Sequence, residues 1–323
     1  MTTFKHFLCL ALLIGALAAD RSGSAAAAEK VYIAGSSAES VDMFFHVAKK
    51  KGFFQSEGLD VDLIVARPNI SIAGMAGKNI DYGTVLGSLL RAALGGLPVR
   101  LVMISMDRPS QSLVARPDIK TIDDLRGKTV GVSGIGGMAD VITRMMLERA
   151  GLAPGRDVQI APLGPMAARI NALQNGVVAA APVTPPMTYQ LEKNGYKILL
   201  NASDLVVVPY YGLGTSVDKM HERPGQVKAL IRAFLQAGRF IRNEKSQMIS
   251  ILMDSGQMER GIAEKSYQAL RSSISLTGEP SGEGMQFWLD VAKKERGMKE
   301  DIPMSQVADF TILRTARKEL GIR

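Results

Sequence analysis

The stretch Lys128-Thr-Val-Gly-Val-Ser-Gly-Ile-Gly-Gly-Met-Ala-Asp-Val-Ile-Thr-Arg-Met-Met-Leu-Glu-Arg-Ala150 reads as strand, glycine loop and helix. Thr129 to Val132 is a short β-branched run, and Ser133 to Gly137 allows a tight turn. From Met138 onward Val141, Ile142, Met145 and Met146 recur at helical spacing. A helix that opens directly from such a loop leaves its first N–H groups unpaired and carries partial positive charge there, so the loop is a candidate cradle for an anionic or carbonyl group. The reading in which the glycines only turn the chain stays open beside it. Two sharper patterns fail. Gly134-Ile-Gly-Gly-Met-Ala139 has the glycine spacing of a dinucleotide fingerprint, but Asp157 stands before the next strand instead of at its end, where a ribose would need it. Gly131-Val-Ser-Gly-Ile135 lacks the last glycine of a nucleophile elbow.

The surrounding chain alternates strands and helices. Val31 to Ala34, Asp60 to Val65, Ile80 to Val85 and Val99 to Met106 read as strands, with helices through Met43, Phe44 and Val47, over Ile70 to Lys78 and over Gly87 to Leu94. Such alternation implies an α/β protein with a mostly parallel sheet. Asp60-Val-Asp-Leu and Asn79-Ile-Asp-Tyr-Gly are answered 97 residues later by Asp157-Val-Gln-Ile and Gly176-Val-Val-Ala-Ala, and Gly58 by Gly155. Asn79 and Gly176 share a slot that suits a left-handed residue closing a helix, so two similarly built α/β units are expected in succession. Leu113 to Ala115 and Ile198 to Leu200 read as further strands, Thr121 to Gly127 as a capped helical turn and Val206 to Gly214 as an extended apolar segment. From Val227 the pattern is helical, with Val227, Leu230, Ile231, Phe234, Leu235 and Ile241 on one face.

With 323 residues, 46% of them hydrophobic and 22% charged, the chain has the composition of a globular protein long enough for two cored domains. Its start differs. Lys5 and His6 precede an apolar run from Phe7 to Ala19, and small residues lead to Ala26-Ala-Ala28, the pattern of a secretory signal over residues 1–28. Ala16-Leu-Ala18 offers a second cleavage point. Cys9, the only cysteine, lies inside that segment, so a soluble exported protein without disulfides is expected. The net charge is +8, and loss of Lys5, Asp20 and Arg21 with the signal leaves +7. The cations are scattered and aromatics form only 6% of the chain, which argues against a nucleic-acid groove. After the signal only His46 and His221 remain as histidines, and no His, Asp or Glu cluster has metal-ligand spacing, so no catalytic residue, metal or cofactor is expected.

The order of Gly52-Phe-Phe-Gln-Ser-Glu-Gly-Leu-Asp-Val-Asp-Leu63, Asn79-Ile-Asp-Tyr-Gly83, Thr121-Ile-Asp-Asp-Leu-Arg-Gly-Lys-Thr-Val-Gly-Val132 and Ala150-Gly-Leu-Ala-Pro-Gly-Arg-Asp-Val158 resembles one family. It is similar to the nitrate, sulfonate and taurine type of solute-binding proteins that serve ABC importers, within the NMT1/THI5-like superfamily. The resemblance implies a type II periplasmic-binding fold of two α/β lobes joined by two crossing strands. Residues 29–111 would begin lobe I, 112–210 would form lobe II, and 211–323 would return to lobe I with the C-terminal helices. The crossings would fall near Asp107 to Ser112 and Val208 to Gly212. The implied product is a periplasmic, monomeric receptor that hands a small organic solute, with sulfonate- or carboxylate-like anions among the candidates, to an inner-membrane ABC permease. A ligand-sensing lobe for a membrane sensor and a thiamine-pyrimidine-synthase-like enzyme are the alternatives, though the latter branch would call for a cysteine-rich iron site that this sequence lacks.

Carried onto this chain, the resemblance places the ligand at Ser36, Ser37, Glu39, Asn69, Thr84, Ser133, Gly136, Gly137 and Thr184, with Met138, Met166 and Tyr210 as apolar walls. The serines have helix capping as their plain alternative, and Met166 and Tyr210 a place in the core. Arg67 and Arg108 are candidate anion partners, each beside a proline that equally suits a surface loop. Glu39 is out of place in a purely anion-binding cleft, which keeps solutes with an amine or hydroxyl in view.

Overall fold

The computed structural model describes residues 27–35 and 42–322. Ten strands are assigned among them: β1 (Glu29–Gly35), β2 (Leu59–Val65), β3 (Tyr82–Gly83), β4 (Val99–Met106), β5 (Ser112–Ala115), β6 (Thr129–Val132), β7 (Gln159–Pro162), β8 (Ala180–Val183), β9 (Lys197–Asn201) and β10 (Tyr211–Ser216). They form two five-stranded sheets with orders β2-β1-β3-β10-β4 and β7-β6-β8-β5-β9. The two orders are the same pattern written twice. β10 runs antiparallel to β3 and β4, and β5 antiparallel to β8 and β9; β1, β2 and β3 are mutually parallel, as are β6, β7 and β8. This mixed α/β architecture is the periplasmic-binding type that the sequence predicts.

The repeat is realised in the strand register. Ile33 pairs with Leu63 and with Tyr82. Val130, 97 residues after Ile33, pairs with Ile160, 97 after Leu63, and with Ala180, which is 98 after Tyr82. The single-residue slip has a visible cause. Gly58, Gly155 and Gly176 adopt positive φ as expected, but in the first unit the left-handed residue is Lys78 (φ 61°), not Asn79. The turn therefore closes one residue earlier, with Asn79 N–H donating to the Gly74 carbonyl at 2.9 Å. The same carbonyl takes Ile80 N–H, so Ile80 belongs to the turn that closes the helix instead of opening a strand. β3 shrinks from the expected Ile80–Val85 to two residues. Pro68, which needs no N–H at a first helical position, starts the preceding helix at Pro68–Ala76, two residues before the predicted start.

Helices cover the sheets and bury a large core, with a second, smaller cluster of Val114, Ile170, Leu173, Val178, Val183 and Leu191 on the second sheet. The 20-residue helix Pro224–Asn243 buries Val227, Leu230, Ile231, Phe234, Leu235 and Ile241, the predicted face. Phe234 stacks on Phe44 at 6.3 Å and contacts Phe54 at 6.0 Å, and Tyr82, fully buried, donates its hydroxyl to Gln226 Oε1 at 3.0 Å. Those contacts tie the C-terminal helices to the first sheet. No helix among the described residues is long and apolar enough to cross a membrane.

The strand directions fix where a site can form. β4 ends at Met106 on the same edge as the carboxyl ends of β1, β2 and β3, while β5 starts beside the carboxyl ends of β8 and β9. Residues 107–111 and 202–210, the two connections between the sheets, therefore both join one carboxyl edge to the other. Loops that leave parallel strands at this edge are where open α/β sheets bind ligands. Of the expected extended segment Val206–Gly214 only the part from Tyr211 enters a sheet, as the start of β10, because the chain up to Tyr210 is the crossing and Pro209 has no N–H to give a ladder.

Candidate functional site

Three loops of the second sheet are stitched together at its carboxyl edge. Gly164 N–H donates to the Ser133 carbonyl at 2.8 Å, and the Thr184 hydroxyl donates to Met166 Sδ at 3.4 Å. Ser133, Gly136, Gly137, Met138, Met166 and Thr184 are all half-buried, so the expected residues of this side form one surface around the ends of β6, β7 and β8. Space is tight at Gly137: a Cβ there would lie 3.0 Å from Ser133 Oγ and 3.1 Å from the Gly134 carbonyl oxygen. Gly136 sits at φ 74°, a left-handed conformation that suits glycine.

The loop is organised by a residue that the sequence reading did not single out. Asp140, 1% exposed, accepts the Gly136 N–H at 2.8 Å through Oδ2 and the Arg144 Nε at 2.7 Å through Oδ1. Its carboxylate lies in the first turn of helix Met138–Arg149, where it offsets the positive end of the dipole. Gly137 N–H is likewise used, donating to the Gly134 carbonyl at 3.0 Å. The two glycine amides are thus committed within the loop, and its positive end already has a carboxylate. Any group held at this helix start would therefore meet the N–H groups of Met138 and Ala139 beside the Asp140 carboxylate.

The crossings are tied to the same helix. Tyr210, 5% exposed, hydrogen-bonds the backbone carbonyl of Met106 through its N–H and donates its hydroxyl to Gln111 Oε1 at 3.4 Å. Gln111 Nε2 in turn reaches Thr143 Oγ1 and the Ala139 carbonyl, both at 3.4 Å. Tyr210 packs edge-on against Tyr211 with ring centres 4.6 Å apart. One connected polar network therefore runs from the end of β4, through both crossings, into helix Met138–Arg149. Burial raises the Tyr210 hydroxyl pKa, with Arg169 and Tyr211 opposing it, so the phenol is a neutral donor at physiological pH.

Arg169 completes this junction. It lies on helix Met166–Gln174, is 8% exposed, and donates from Nη1 to the Pro182 carbonyl at 2.6 Å. Its Nε has no hydrogen-bond partner. Burial pulls its pKa down, while Tyr210 and Tyr211 are the groups that act in the opposite direction. A signal for it exists in the sequence: Met166, Arg169, Ile170 and Leu173 fall on one helical stripe, and Arg169 is the charged member of an otherwise apolar set. The two arginines that were singled out differ. Arg67 is exposed, and Arg108 donates to the Ser203 carbonyl at 3.2 Å, linking the first crossing to the second.

On the first sheet, Thr84 is buried and its hydroxyl donates to the Ala34 carbonyl at 3.4 Å, which ties the end of β3 to β1. Asn69 is exposed near the start of helix Pro68–Ala76. Ser36, Ser37 and Glu39 lie outside the described residues, as does most of the predicted signal. Asp157 accepts the Ala153 N–H at 2.9 Å and pairs with Arg156 and Arg126, which hold its carboxyl well below the usual range. It pins the turn before β7 and is unavailable to a ribose. Among the described residues no group of three or more His, Cys, Asp or Glu side chains is arranged to hold a metal.

Two surface hollows lie elsewhere. One of about 560 Å³ is lined by Glu279, Arg314 and Arg317, and one of about 460 Å³ by Arg100, Val217 and Phe310. Arg100 stands near the start of β4 and Val217 just past the end of β10, so the second hollow opens on the edge opposite the crossings.

Comparison with known proteins agrees with this geometry. A putative binding protein of Brucella abortus is 27% identical over 143 residues, covering 44% of this chain and 43% of that protein. The chain thus spans less than half the length of such curated relatives. The periplasmic sulfonate-binding protein SsuA of Methylobacillus flagellatus superposes with a TM-score of 0.72 at 18% identity, over 92% of this chain and 96% of that one. The desulfurization enzyme DszB shares the fold at a TM-score of 0.63 and 15% identity, over 90% of this chain and 99% of its own. The family model described as NMT1/THI5 like matches residues 40–247, well over half of the sequence, and the chain belongs to that family.

Proposed function

We propose that this chain is a non-catalytic, exported solute-binding protein, monomeric and periplasmic, whose two lobes close on a small organic solute and present it to an ABC permease in the inner membrane. Residues 29–111 with 211–323 make one lobe and 112–210 the other. The observation that carries the reading is that both connections join the carboxyl edges of the sheets, so the loops at Thr84 and Asn69 and those at Ser133, Met138, Met166 and Thr184 belong to one junction. Hinge closure around such a junction is an established way to sequester a ligand. DszB shares the fold as an enzyme, but here His46 and His221 are exposed and Cys9 falls within the predicted signal, so neither histidine nor the cysteine supports a nucleophile and base pair among the described residues of the junction.

A thermal-shift screen of sulfonates, carboxylates, amino-acid-like compounds and pyrimidines tests the reading. A ligand that binds only the folded state adds about 2.7 kcal/mol at a hundredfold excess over its Kd. Gly137→Val, whose side chain would push into Ser133 and the Gly134 carbonyl, is expected to abolish the shift while the variant stays folded. A full shift in the variant would remove this loop from the site. Turnover of a compound by the purified protein would replace the receptor reading with an enzymatic one.

A further inference from the structure

Away from the crossings, two helices that belong to different sheets meet through their charges. Helix Met187–Lys193 follows β8 of the second sheet, and helix Arg260–Ser273 belongs to the C-terminal part of the chain. The C-terminal helix is anchored on the side of the first sheet. Tyr267, 2% exposed, donates its hydroxyl to the Arg242 carbonyl at 3.2 Å, and the Ser273 carbonyl accepts the N–H of Asp107, the first residue of the first crossing, at 3.0 Å. Its other end reaches the helix of the second sheet. Lys193 Nζ donates to both carboxylate oxygens of Glu259, at 2.5 and 2.6 Å, and Lys265 Nζ donates to Glu192 Oε2 at 2.7 Å. The Lys265 ammonium also stands 5.7 Å from the centre of the Tyr189 ring.

The order of signs gives this contact a register. Glu192 and Lys193 are neighbours of opposite charge, and each takes the opposite charge from the facing helix. A slide by the spacing of the two pairs would set Lys193 against Lys265, or Glu192 against Glu259, and like charges face to face are repelled. The side chains of Lys193 and Glu259 are 56% and 68% exposed, and those of Lys265 and Glu192 57% and 38%, so both pairs stand in water and are open to screening by salt. Each such pair changes an equilibrium only by a factor of a few. A factor of that size matters where two arrangements of a hinged protein differ little in free energy.

We propose that Lys193–Glu259 and Lys265–Glu192 form a salt-sensitive latch between the lobes, which holds the arrangement seen here and parts when the lobes turn about the crossings. Ionic strength thereby sets how readily the protein changes state. The latch rests on the receptor reading for the identity of the lobes and adds a control outside the ligand junction.

The test uses the full protein without ligand, lacking Cys9 and carrying spin labels at the exposed positions Val65→Cys and Ile135→Cys, one beside each sheet's carboxyl edge. At low salt the wild type is expected to show one main distance. Glu192→Lys with Glu259→Lys sets lysine against lysine at both contacts and should lower the population at that distance, relative to the rest, about threefold to tenfold. Sodium chloride at about 1 M, where the screening length is about 3 Å, should shift the wild type in the same direction. Adding Lys193→Glu and Lys265→Glu rebuilds both pairs with their signs exchanged and should restore the wild-type distribution. A distribution left unchanged by the double reversal, or one that the fourfold exchange does not restore, would overturn the latch. Should the double reversal not fold by circular dichroism, the salt series decides, and a wild-type distribution indifferent to salt overturns it. A solute that changes the distance while charge reversal and salt do not would remove the latch and leave the receptor. Charge-dependent distances in a protein that no screened solute stabilises would keep the latch and remove the receptor reading.

Discussion

Changing Trp288 to alanine is expected to lower the unfolding free energy by about 3–5 kcal/mol, the range for removing a buried indole from a packed core. Trp288 is 3% exposed, and its Nε1–H donates to the Pro209 carbonyl at 2.7 Å. One turn earlier on the same helix, Gly282–Arg296, a Cβ at Gly284 would stand 2.7 Å from Pro209 Cδ, so the helix can lie this close only because glycine is there. Gly284 and Trp288 together clamp the second crossing onto helix Gly282–Arg296, immediately before Tyr210 and Tyr211. Urea titration with intrinsic fluorescence in the reference replaced by circular dichroism would read the loss. Trp288→Phe, which keeps most of the burial and removes the donor, should cost about 1–3 kcal/mol. An unchanged midpoint in the alanine variant would mean that the crossing is held by other contacts.

Asp140→Ala is expected to cost about 2–3 kcal/mol and to abolish the ligand response of the glycine loop. Breaking a buried ion pair typically costs about 3–5 kcal/mol, and here the figure is smaller because Arg144 is partly exposed and regains water. The same substitution releases Gly136 N–H and uncovers the positive end of the helix. Asp140→Asn keeps an acceptor for Gly136 and gives up only the charge, so it should retain more of both stability and binding. If the alanine variant bound ligand with wild-type affinity, the loop would not be a wall of the site.

The fold was legible because its signals are local. Alternating strands and helices, the glycines at 58, 155 and 176, and the apolar face from Val227 onward all survive in the structure, and the interval of 97 between the units appears in the strand register. What failed was fine placement. Lys78, an ordinary residue by propensity, takes the left-handed position beside an asparagine better suited to it, because the carbonyl of Gly74 captures both Asn79 and Ile80. The candidate site was legible on the side built from loops, where Ser133, Met166 and Thr184 fall together. Arg169, Asp140 and Gln111 were not singled out, since each lies in or beside regular structure where a polar side chain ordinarily points to water. Their meaning comes from partners far along the chain, such as Tyr210, 99 residues from Gln111, and no local pattern encodes that pairing.

The central claim is that two lobes hinge at residues 107–111 and 202–210 and close on a solute at their facing edges. It is tested most directly by a pulsed dipolar distance between spin labels at Val65→Cys and Ile135→Cys, both exposed, the first the last residue of β2 and the second just beyond the carboxyl end of β6, in protein that lacks Cys9. With a compound that raises the melting temperature, the account predicts a shorter and narrower distance distribution. A distribution unchanged at saturating ligand would contradict it.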